Sequence, residues 1–232
     1  MIFSARLGSL ISGAVQFFII LWFLFQSKYK TWSQRFFIVY LVFSGSYCFL
    51  EYLFRTAANK EFALLLVKPL FIIVTFIPVW PLLFSVALQE KPRAKWLVYL
   101  VAPLIFTPIV WGYLIKDVFQ NAWGWQSDVF TTAWVGWLLY FFSYSSLFLY
   151  KLYKAQLILK EEGDLDLSFR LRIIFYAFIA LIIIATSTNI AVLLLGLSIP
   201  PLLVPLFFIP SLFIAYALMR KSNGKKTTAP SP

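Results

Sequence analysis

The chain has 232 residues, of which 62% are hydrophobic, 20% aromatic and 12% charged, against the about 45–50% apolar and about 25% charged residues of soluble domains. Those proportions exclude a water-soluble globule, and because the basic residues flank apolar runs, the net charge of +11 speaks of membrane orientation and not of nucleic acid. The lack of histidine and the single cysteine, Cys48, remove the commonest general base and metal ligand and exclude an internal disulfide or a thiolate cluster, so no catalytic residue, no metal and no cofactor is expected and the chain is not read as an enzyme.

At about 20 apolar residues per crossing, the sequence predicts an all-α, polytopic membrane protein, a bundle of seven transmembrane helices at 7–26, 35–55, 62–88, 96–116, 132–153, 171–193 and 201–219. Residues 1–220 then form the transmembrane domain and residues 221–232 a short, basic, disordered tail. The first run is read as an uncleaved helix, since Lys28 and Lys30 follow it and only Arg6 precedes it. Its Gly8, Ser9, Ser12 and Gly13 are small enough to let another helix come close, and Gln16, in mid-span, is expected to hydrogen-bond to a neighbour. Cys48, in the second span, is read as a small packing residue.

The second and third runs carry Glu51, Arg55 and Lys68 at one depth, close to one face of the bilayer. Glu51 and Arg55 are four residues apart and share a helix face. Ionisable groups in spans are costly and mark sites, although basic side chains near helix ends also snorkel and a Glu–Arg pair can neutralise itself. The expectation is that Glu51 lies between or near the two cations, in an outer polar pocket. Pro69, Pro78 and Pro81 in the third span, and Pro103 and Pro108 in the fourth, predict kinks.

Residues 117–131 form the longest outer connection and contain Trp123, Gly124, Trp125, Gln126 and Asp128. An aromatic belt at the interface accounts for tryptophan there, and a lid over an outer cavity is the second reading. Between residues 151 and 172 the fifth helix is expected to run on into the cytoplasm and to end at Gly163, giving a solvated loop or a partner-docking surface. The sixth span presents Thr186, Ser187, Thr188 and Asn189 in its outer half, with Asn189 expected to help line the pocket, and the seventh is proline-rich at Pro200, Pro201, Pro205 and Pro210.

Fifteen of the twenty Lys and Arg residues fall on one side of these spans and five on the other, which places the N-terminus outside and the C-terminus in the cytoplasm. Residues 201–219 contain no lysine for a retinal Schiff base, and no phosphate loop, zinc motif or triad is present.

The stretches WSQRFFIVYLVFSGSYCFLEYLFR, PLFIIVTFIPVWPLLFSVALQ, the WGWQ loop and LLYFFSYSSLFLYKLYK give a pattern, from about Trp32 to Arg220, that resembles the seven-helix N-terminal sensor region of membrane histidine kinases. In that family the region passes a signal from its seventh helix to cytoplasmic output domains. This chain stops about a dozen residues after Arg220, so the resemblance implies a stand-alone module or a fragment that signals through a partner. The expected function is a sensor in the cell membrane of a prokaryote, binding a small molecule from the outer side through Glu51, Arg55, Lys68, Trp123, Trp125, Gln126 and Asn189. Its partners are the lipid bilayer, that ligand and a cytoplasmic or membrane signalling protein. A small-molecule transporter, for which no repeated halves are evident, and a membrane scaffold are the alternatives.

Overall fold

A computed structural model describes residues 2–26, 31–89, 93–193, 203–206 and 208–219. Its elements in order are α1 (Ile2–Gln26), α2 (Trp32–Arg55), α3 (Lys60–Phe76), α4 (Val79–Ala87), a 3-10 turn (Ala94–Leu97), α5 (Val98–Ile109), a π-helical turn (Val110–Leu114), strands β1 (Ile115–Asn121) and β2 (Gly124–Val129), then α6 (Thr131–Glu161), α7 (Leu165–Leu193), α8 (Leu203–Leu206) and α9 (Phe208–Met219). Six helical segments are long and apolar enough to cross a membrane: Leu7–Phe25, Trp32–Arg55, Lys60–Ala87, Ala94–Leu114, Thr131–Glu161 and Leu165–Ile184. Phe208–Leu218 is apolar but shorter. Large apolar side chains such as Phe18, Phe25, Leu104, Leu139 and Ile183 stand exposed on the outside of these helices. That is untenable in water and ordinary in lipid, where helices satisfy their own backbone and turn apolar residues outward.

The bundle is arranged around α2, which packs on α1, α3, α4, α8, α9 and β2. The helix starts at a reciprocal cap: Gln34 N–H donates to Thr31 Oγ1 at 3.3 Å and Thr31 N–H donates to Gln34 Oε1 at 2.9 Å. Its buried residues, among them Phe37, Tyr40, Leu41, Ser44, Cys48, Glu51 and Phe54, recur at helical spacing. The seam with α1 is made by small and polar residues. A side-chain methyl group at Gly13 would meet the Phe49 ring at 3.1 Å and one at Gly45 the Phe17 ring at 3.0 Å, so at both glycines the helices approach closely enough that a side chain would press on a facing ring. Gln16 bridges to α2, accepting from Ser44 and donating to Cys48 Sγ at 3.5 Å, as its mid-span position predicts.

Of the three prolines in the third span, Pro69 lies inside α3 without ending it, and the break falls at Ile77–Pro78. Pro78 and Pro81 lack the N–H groups that Val74 and Ile77 carbonyls would have received. Ile77 N–H turns back to Val74 O at 3.2 Å, while Tyr140 Oη donates to Thr75 O at 2.6 Å and Trp137 Nε1 to Thr75 Oγ1 at 2.9 Å. Neighbouring side chains thus occupy polar groups around the break, as helix interruptions in lipid require.

The fourth span stops at Leu114 and not at 116, and the connection expected as a loop is an antiparallel hairpin, β1 paired with β2 from Ile115–Val129 to Asn121–Gly124. The fifth span does run on: α6 has 31 residues, about 46 Å of helix against a hydrocarbon core of about 30 Å. Gly163, at φ +81, closes it, with Gly163 N–H on Lys160 O at 3.2 Å and Asp164 N–H on Leu159 O at 2.9 Å. Asp164 then caps α7 by accepting from Leu167 N–H at 3.0 Å, so α7 begins six residues ahead of the expected 171. Arg170, buried on α7, pairs with Asp166 and donates to Ala217 O of α9 at 3.4 Å. Lys28, Lys30, Lys91, Pro200, Pro201 and the tail from Arg220 lie outside the described residues.

Candidate functional site

The end of α2 and the hairpin form one polar assembly. Glu51 is 4% exposed, a carboxylate within a helix long and apolar enough to cross a membrane, and its Oε1 accepts from Arg55 Nε at 2.7 Å. The pair has the four-residue helical spacing that the sequence offers. Arg55 has a second engagement that spacing does not reveal: its Nη1 donates to the main-chain carbonyl of Trp125 at 3.0 Å.

The hairpin is held to the same spot by its turn chemistry. Asn121 Oδ1 accepts from Trp123 N–H at 2.8 Å, an Asx turn that leads into Gly124 at φ +106. A methyl group on Gly124 would fall 2.4 Å from Arg55 O, so glycine is required both by the backbone angle and by contact with α2. One residue on, Trp125 Nε1 donates to Ala57 O at 2.8 Å, on the turn between α2 and α3. Outside these contacts, Lys60 at the start of α3 donates to Asp117 Oδ2 at 2.6 Å, and Lys116 stands 3.6 Å from Asp128 across the hairpin. The Lys60 ammonium and the Val118 N–H together hold the Asp117 carboxyl below its ordinary range.

The expected site residues therefore separate into groups. Glu51, Arg55 and Trp125 come together, Gln126 is buried next to Trp125 on β2, and Trp123 is half-buried at the hairpin turn. Lys68 departs from expectation. Its Nζ lies 5.4 Å from the centre of the Trp111 ring, and it pairs with no carboxylate among the described residues. Hydropathy gives a residue's depth but not its angle around the helix, and α3 turns Lys68 toward the fourth span. Asn189 lies on α7, its side chain outside the described residues; Ser187, in the same polar run, is exposed.

The sequence reading gave Ala57, Lys60, Asp117 and Gly124 no part in the site. Of these, only the Asn121-Ala122-Trp123-Gly124 run carried a turn signal. The assembly has one buried carboxylate and one guanidinium, already paired, and among the described residues no three metal-ligating side chains converge. Chemically it can exchange hydrogen bonds and charge with a polar ligand, at the cost of contacts that hold the hairpin. Comparison of the chain with family models, with curated proteins and with solved structures gives no match.

Proposed function

We propose that the chain is a seven-span sensor or signalling module of a prokaryotic cell membrane, with the N-terminus outside and the C-terminus cytoplasmic. It binds a small polar molecule at the hairpin-covered end of α2 and acts through a partner protein, without catalysis of its own. The observation that carries this reading is the double engagement of Arg55, on Glu51 and on the Trp125 carbonyl. A ligand that competes for either partner loosens or tightens the hairpin against the central helix, which touches most of the bundle. The likeness to histidine-kinase sensor regions points the same way. The seventh crossing in this reading is supplied by α8 and α9, which pack on α1 and α7, and the fifteen-to-five distribution of basic residues supports a hairpin on the outer side.

A transporter is the second reading, favoured by the interrupted third span, because broken helices line substrate sites in transporters. The test uses the purified full chain against a library of small polar metabolites. A compound that raises the melting temperature of the wild type but not of Glu51→Gln, and that does not cross proteoliposomes, meets the sensor reading. Flux of the same compound replaces it with transport. Neither response, together with a crosslinked partner, leaves a scaffold.

A further inference from the structure

Packing leaves a cleft beside the broken third span. It is bounded by Tyr40 of α2, Pro78 and Pro81 at the break, Ser145 and Phe148 of α6, and Phe178 of α7, and its empty volume, open side included, is about 480 Å³. No charged residue lines it among the described residues. Pro78, Pro81, Ser145 and Phe178 all fall within helical segments long and apolar enough to cross a membrane, so the cleft faces hydrocarbon when these segments span a bilayer.

Ser145 is the serine of that wall. Serine and threonine in these helices return their hydroxyls to the carbonyl one turn back: Ser143 to Leu139 O at 2.7 Å, Ser44 to Tyr40 O at 2.8 Å, Thr75 to Phe71 O at 2.7 Å. Ser145 is 7% exposed, faces the cleft, and has no hydrogen-bond partner among the described residues. A hydroxyl on the cleft wall without a partner gains a hydrogen bond when an acceptor oxygen is placed in the cleft. A charged ligand would find no counter-charge there.

We propose that this cleft binds an uncharged lipophile, a hydrocarbon body carrying a hydrogen-bond-accepting oxygen, which enters from the bilayer and receives the Ser145 hydroxyl. The site is separate from the Glu51 assembly. Tyr40 and Glu51 are eleven residues apart on α2, about 16 Å along the axis, and the two sites share that helix.

The test is photolabelling of the full chain in nanodiscs with a diazirine fatty alcohol, with a phosphatidylcholine bearing the same diazirine chain, and with a diazirine alkane lacking oxygen. Modified residues are read by mass spectrometry. Saturable labelling confined to α4, α6 and α7 around the cleft is expected. Labelling by the alcohol and not by the phospholipid is expected; saturable labelling by the phospholipid instead assigns the cleft to the bilayer's own chains and overturns the proposal. Ser145→Ala should weaken the oxygen-bearing probe about two- to ten-fold, the range of one hydrogen bond, and leave the alkane unchanged. Ser145→Phe should abolish labelling by filling the cleft, while Ser146→Phe, on the exposed side of the same helix, should not. Where Ser145→Phe fails to fold, Ser145→Ala decides. Labelling that never saturates and is the same in wild type and Ser145→Ala overturns the proposal. Glu51→Gln should label as wild type, so failure of the outer site and failure of the cleft are read separately.

Discussion

Arg55 and Trp125 are seventy residues apart in sequence and joined by one hydrogen bond, Nη1 to main-chain oxygen at 3.0 Å. Because the acceptor is backbone, the contact does not depend on which side chain occupies position 125. It depends on the hairpin being seated, and it ties the position of that hairpin to a guanidinium whose other face is committed to Glu51.

Removing Glu51 therefore leaves a largely buried cation with one neutral partner. Glu51→Ala should destabilise the detergent-solubilised chain by about 3–5 kcal/mol, the cost of breaking a buried pair, seen as a large fall in the thermal midpoint. Glu51→Gln keeps an acceptor for Arg55 Nε and should fall less. Midpoints equal to wild type in both variants would assign the pair the about 0–1 kcal/mol of an exposed one.

Gly124→Ala meets two obstacles, a φ of +106 and the Arg55 carbonyl oxygen at 2.4 Å. The backbone angle alone costs about 1–3 kcal/mol. Hydrogen exchange should accelerate across residues 115–129 and stay unchanged in α6. Gly163→Ala shares the positive φ but has nothing within 4 Å of the added methyl, so its effect should be smaller and confined to the α6–α7 turn.

Acid should release the outer edge of the hairpin. The folded carboxyl of Asp117 lies below its ordinary value of 3.8, first because Lys60 donates to it and then because Val118 N–H does. A folded value below the unfolded one means that the tie to Lys60 is complete above pH of about 4 and is lost as pH falls through the folded value. Acrylamide quenching of the tryptophans, followed from pH 6 to pH 3, should rise at the acid end in the wild type, and Asp117→Asn should show the raised level at every pH. Since Asp117 is exposed, salt should weaken the tie as well.

The α1–α2 seam gives a test of packing. Gln16→Leu removes the bridge but leaves Ser44 its bond to Tyr40 O, and should cost about 0.6–1.7 kcal/mol, the range of side-chain hydrogen bonds between membrane helices. Gly45→Leu must displace the Phe17 ring and should cost more. Cys48, fully buried between the two helices, should react with N-ethylmaleimide only after unfolding in the wild type and in the native state of Gly45→Leu. Equal reactivity in all three would mean the seam is open.

Orientation is checked by reporter fusions. Those after Lys95, Glu162 and Lys226 should read cytoplasmic, and those after Lys60 and Ser127 outside. Opposite faces for Glu162 and Lys226 would remove one span from the proposed seven.

The helices were legible because a crossing needs a long apolar run and nothing else in the chain supplies one. Gln16, Gly13 and Gly163 were legible because each solves a local problem that its residue type announces: a lone amide in hydrocarbon, a close approach, a helix end. The hairpin was hidden by its composition, since Ile115–Asn121 mixes apolar and charged residues without strict alternation and its tryptophans suit an interfacial loop equally well. The Glu51–Arg55 pair could be read from spacing, but its attachment to Trp125 is a contact between distant segments and has no local trace. Lys68 shows the same limit, since depth in the membrane was predictable and rotation about the α3 axis was not. Three prolines promised a bent third span, yet only the pair at Pro78 and Pro81 interrupts it.

That interruption divides the third span into two separately anchored pieces. In a continuous helix the i to i−4 ladder runs unbroken from end to end; around Ile77–Pro78 the rungs of Pro78 and Pro81 are missing. The first piece is held at Lys60 by Asp117 of the hairpin and at Thr75 by Tyr140 and Trp137 of α6. The second is followed by Gln89, whose Nε2 donates to Lys151 O of α6 at 2.6 Å. Both pieces are thus splinted to one long helix, and α6 supplies across the break the continuity that the backbone of the third span lacks.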